Sequence, residues 1–96
     1  MYVGICRFDL HLVSGPQSLK EKRAVVRRLR DRLRNLQLSA AEVDAHDLWQ
    51  RAVLGVACVG ADAGVARGQL EAAGKLIASF PEVEVLGEDL EVMAYP

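Results

Sequence analysis

Residues 50–60, QRAVLGVACVG, are apolar at almost every position. A strand with one face in water alternates polar and apolar side chains, so a run like this predicts a central strand covered on both faces. Before it, LQLSAAEVDA at 36–45 reads as a shorter strand through Leu38, Ala40 and Val43, with a bulge where the alternation slips, and AHDLW at 45–49 makes the turn. After it, Asp62 is a good N-cap for a helix over 61–80, ADAGVARGQLEAAGKLIASF. Val65, Leu70, Ala73, Leu76, Ile77 and Phe80 fall on one side of that helix, Gly68 and Gly74 off it, and Pro81 marks its end. The remaining residues, 81–96, form a Glu-rich strand interrupted near Gly87, suited to a sheet edge where charge discourages unwanted pairing.

The first half has the same plan. In YVGICRFDLHLV, residues 2–13, Cys6, Phe8, Leu10 and Leu12 point one way and Arg7, Asp9 and His11 the other, a strand covered on one face. A turn at SGPQ, residues 14–17, leads to Ser18, followed three residues later by Glu21, the spacing of a capping box. The helix that follows carries its apolar stripe on Leu19, Val26, Leu29, Leu33 and Leu36. The order is β-α-β-β-α-β. Two right-handed β-α-β halves close into an α+β, ferredoxin-like sandwich: a four-stranded antiparallel sheet, first and third strands central, both helices on one face.

At 96 residues the chain predicts a single domain over 1–96, and its half-apolar, quarter-charged composition predicts a packed core. The apolar runs are short for a membrane span and the N-terminus lacks the pattern of a signal peptide, so a cytoplasmic location with no membrane partner is expected. Cys6 and Cys58 sit within apolar strands and read as buried small hydrophobes.

Charge is segregated. Residues 18–36, SLKEKRAVVRRLRDRLRNL, hold eight of the twelve Lys and Arg against Glu21 and Asp31, net +6, while four basic and eleven acidic residues elsewhere give −7. With Leu19 at zero and about 100° per residue, the apolar arc runs from about 240° round to zero. Arg30, Arg23, Arg34, Arg27 and Lys20 follow between about 20° and 100° and form a ridge at one edge. Such a ridge fits phosphate contact with RNA or the ribosome. Two other readings stand beside it: a solvated face, and charges paired to the acidic last strand.

On the sheet face away from the helices, the first and third strands offer no aromatic side chain, which disfavours base-stacking on the sheet. Val3, Ile5, Val53, Ala57 and Val59 there make an apolar patch, and a homodimer through this face is the alternative function. Asp9, His11, Asp44, His46 and Asp47 match no metal motif and read as turn and surface residues, so no metal is expected. Trp49 reads as an anchor of its turn against the core. GADAG at 60–64 lacks the pattern of a phosphate loop, and no nucleophile stands beside a base, so neither an enzyme nor a cofactor is expected.

SLKEKR at 18–23 and EVDAHDLWQRAVLGVA at 42–57, with YVGICRFDLHL at the start, resemble a family of small bacterial proteins of unknown function typified by YlxP. The resemblance spans nearly the whole chain. It implies a ferredoxin-like fold and, from the company its genes keep, a loose association with translation. It implies no catalytic residue.

Overall fold

The computed structural model describes residues 1–13 and 15–96, so Ser14 of the SGPQ turn lies outside the described residues. The elements are β1 (Tyr2–Leu12), α1 (Leu19–Asn35), β2 (Ser39–Asp44), β3 (Arg51–Gly60), α2 (Ala63–Ala78) and β4 (Val83–Ala94). The strands form one sheet in the order β2-β3-β1-β4, every neighbouring pair antiparallel. This is the expected ferredoxin-like arrangement.

Alternation dictates which side the core occupies. Cys6, Phe8, Leu10 and Leu12 of β1 and Ala52, Leu54, Val56 and Cys58 of β3 face the helices, meeting Val25, Val26, Leu29 and Leu33 of α1 and Ala66, Leu70, Ala73 and Ile77 of α2. Gly4 continues the buried row of β1. A Cβ there would stand 2.9 Å from Leu70 Cδ1 and 3.1 Å from Cys58 Sγ, so the bare backbone is what lets α2 settle on the sheet. Both expected irregularities occur as register shifts, one in β2 between Glu42 and Asp44, the other in β4 opposite Asp9 and Leu10, beside Gly87.

The helix ends follow the sequence signals with one adjustment. The Ser18 side chain accepts the Glu21 N–H, but the Glu21 carboxylate reaches back to the N–H of Gln17, one residue beyond the position a capping box uses. At the other end Gln37 adopts φ 63°, its N–H bonds the Arg34 carbonyl, and the Leu38 N–H bonds the Leu33 carbonyl. That is a Schellman termination with glutamine where glycine is usual. Leu36 is consequently the C-cap and is exposed, outside the stripe it was expected to extend.

Three further expectations about faces are corrected. Gly74 is buried against Phe8 and Glu88, because α2 turns its small residues toward the sheet for close approach. Val65, in the first turn of α2, is half-exposed beyond the reach of the sheet. Val53 does lie on the open side of β3, in register with Asp9 and Asp44, but it is only 4% exposed. It is therefore not available as interface surface.

Candidate nucleic-acid interface

The eight cations of α1 divide into three groups by what surrounds them. On one flank, Arg28 pairs with Glu82, and the guanidinium carbons of Arg28 and Arg32 lie 6.0 Å and 5.6 Å from the centroid of the Phe80 ring. The hydrogen bond from Arg28 holds the Glu82 carboxyl below its ordinary value. These two arginines fasten α1 to the chain between α2 and β4, as the pairing reading anticipated in part.

The second group is Lys22 alone, and sequence reasoning missed it. Lys22 is 1% exposed, inside the apolar face of α1. Its ammonium donates to the carbonyls of Ala45 at 2.6 Å and His46 at 3.3 Å and stands 2.9 Å from Glu42 Oε2. An ammonium has three protons, and three oxygens surround it. The signal was present in the sequence: Lys22 falls at about 300° on the helical projection, between Leu29 and Leu33, where a charge has no route to water.

Lys22 thereby fixes the turn after β2. Ala45 takes φ 60°, an unusual backbone conformation for alanine, and its N–H is capped by Asp44 Oδ1 at 2.7 Å. The Leu48 N–H closes the turn on the Ala45 carbonyl at 3.1 Å, and the Leu12 N–H holds the Gln50 carbonyl at 2.8 Å. The segment between β2 and β3 is thus tied at both ends to the region where β1 ends and α1 begins. At its tip Leu48 is 54% and Trp49 48% exposed. The expectation that Trp49 anchors the turn is corrected: backbone bonds and Lys22 do that, and the indole is left at the surface.

The third group is the ridge. Lys20, Arg23 and Arg27 are exposed, and among the described residues none of the five ridge cations pairs with a carboxylate. The ridge weakens toward its C-terminal end. Arg30 is half-buried, and Arg34 donates at 3.3 Å to the carbonyl of Ala40 in the edge strand β2. Asp31, the nearest acid on the helix, pairs with no ridge arginine. Lys20, Arg23 and Arg27, spaced three and four, thus keep their charge and their access to solvent.

The open face of the sheet contains a depression of about 630 Å³ over Ile5, Arg7, Ala41, Gly55, Ala57 and Asp89. Val3 is half-buried beside it, and Ile5 and Val59 are exposed. Of the remaining polar candidates, Asp9 approaches Arg7 at 3.6 Å, and His46 Nε2 lies 3.2 Å from the Glu42 carbonyl. Among the described residues no three His, Cys, Asp or Glu gather in a way that could hold a metal ion. Cys6 and Cys58 are free and buried; burial first, then the charges of Glu88 and Asp89, push the Cys6 thiol up to about 11, and burial raises Cys58. Among the described residues no helix is long and apolar enough to cross a membrane.

Residues 3–89 match the family described as "Protein of unknown function (DUF503)". Over 68 residues the chain is 40% identical to "Uncharacterized protein YlxP" of Bacillus subtilis (strain 168), a match covering 70% of this chain and 74% of that protein. Lys22 and Glu42, which the fold brings together, come from the two segments, 18–23 and 42–57, that carried the resemblance. The extent of both matches means that this chain belongs to the DUF503 family.

Proposed function

We propose that this protein is a non-enzymatic accessory of translation that contacts the phosphate backbone of structured RNA, alone or within the ribosome, through the exposed flank of α1. The observation that carries the reading is that, among the described residues, Lys20, Arg23 and Arg27 have no carboxylate partner, on a helix whose other flank is fastened by Arg28 and Arg32. Cations serving only solubility are usually interleaved with acids. Here they stand in a row about 10 Å long, enough to meet successive phosphates. The place in translation rests on the family resemblance.

Fluorescence anisotropy with a labelled RNA duplex over a salt series tests this. Three phosphate contacts correspond to a slope of log K against log salt near about −2.7, and each cation removed lowers its magnitude by about one. A variant carrying Lys20→Glu, Arg23→Glu and Arg27→Glu should lose both affinity and slope; binding equal to the parent's refutes the ridge.

A second reading, a homodimeric interaction module, is supported by the uncovered apolar end of the sheet at Val3, Ile5, Ala57 and Val59, without Val53. Sedimentation velocity decides it. A monomer across the micromolar range counts against this reading and leaves the RNA reading intact.

A further inference from the structure

We infer that Trp49 is a base-stacking platform beside the phosphate-binding ridge, so that the preferred ligand is RNA presenting an unpaired nucleotide next to a helical stem. This deepens the RNA reading and rests on it. Three observations lead to it. The chain's only tryptophan is half-exposed, although an indole has much apolar area to gain from burial, and it stands beside exposed Leu48.

The loop that carries it is also held rigidly. Lys22 on one side, the Leu48–Ala45 hydrogen bond within, and Leu12 on the other hold the backbone at Ala45, His46, Leu48 and Gln50, on both sides of Trp49. A buried lysine directed at the backbone of a surface loop fixes where the tip of that loop points, and a preordered aromatic loses little entropy when a base stacks on it.

The location is the third observation. Lys22, on the buried face of α1, bonds Ala45 and His46 directly, so the loop meets α1 at its N-terminal end, the end at which Lys20 and Arg23 are exposed on another face. Asp47, exposed in the same loop, disfavours a phosphate there. The ridge and the loop therefore divide the work: cations meet the backbone, and the indole meets a base face.

The test uses an RNA hairpin with a single-stranded loop and a blunt duplex of the same stem sequence. The hairpin should quench Trp49 fluorescence and the duplex should not. Trp49→Ala should bind the hairpin about 5- to 150-fold more weakly, the usual range for losing one stacked base, with an unchanged salt slope, and Trp49→Phe should recover most of the loss. Hairpin affinity equal for parent and Trp49→Ala overturns the stacking inference and leaves the phosphate reading standing. Parent protein that binds neither RNA in a salt-dependent way overturns both.

Discussion

Replacing Lys22 by methionine keeps the length and apolar stem of the side chain and removes only the ammonium. The variant leaves Glu42 Oε2 without its cation and the Ala45 and His46 carbonyls without their donor. Removing one member of a buried ion pair costs about 3–5 kcal/mol. The Glu42 side chain keeps 14% of its exposure and can turn partly to water, so the low end, about 3 kcal/mol, is expected. For a domain of this size that lowers Tm by about 12–24 °C. Urea unfolding at neutral pH should show a lower midpoint with the parent's m-value, and faster hydrogen exchange at the Leu48 amide should report the loosened turn. Adding Glu42→Gln to Lys22→Met should recover stability relative to Lys22→Met alone, because the stranded carboxylate is gone. Lys22→Met within about 0.5 kcal/mol of the parent would refute the claim that this lysine organises the loop.

Three other perturbations test separate parts of the structure. Gln37→Gly should stabilise the protein by about 1 kcal/mol in urea unfolding, because Gln37 holds the left-handed position that ends α1. Gly4→Ala should destabilise by about 1–3 kcal/mol, since its Cβ would stand 2.9 Å from Leu70 Cδ1 in the core; an unchanged midpoint would mean that α2 packs more loosely than described. Thiol labelling at pH 8 should be negligible for native protein and reach two thiols in urea. In the folded state the Cys6 thiol titrates at about 11 and both sulfurs are buried, so little thiolate forms and less is reached.

The fold was legible because its determinants are local. Period-two alternation in β1, Ser18 and Asp62 as caps, and Pro81 after α2 each fix an element without reference to its neighbours. The apolar run in β3 fixes a central strand, although one fully covered on the helix side only, with Val59 63% exposed on the other, and not on both faces as expected. What sequence reading missed depends on long-range placement. Val53 is buried although it lies on the open side of β3, and Gly74 faces the sheet because α2 docks with its small residues inward. Trp49 is exposed, and Lys22, twenty-seven positions away, supplies the anchoring that the indole was expected to give. Half of the Lys22 case was readable, since a charge between Leu29 and Leu33 on the projection must be buried or must distort the helix; its partner was not.

The distribution of charge along α1 also bears on function. A helix N-terminus carries a partial positive charge, and cations there oppose it by about 0.3–1 kcal/mol each within the first turn. Stability alone would favour acids in that turn. Glu21 is one, and its carboxylate accepts from the Gln17 N–H. Lys20, one residue before Glu21, and Arg23, just beyond the first turn, are exposed, and among the described residues neither pairs with a carboxylate. At the favourable C-terminal end, by contrast, Arg34 is tied to the Ala40 carbonyl and Arg32 lies over Phe80. Lys20, in the first turn, is thus the ridge cation placed against the dipole, while Arg28, Arg32 and Arg34 are exposed as well but engaged by Glu82, Phe80 and the Ala40 carbonyl. Local rules broken without a structural gain are a mark of functional surface. The phosphate contact proposed for the N-terminal half of α1 would account for a cation at that position.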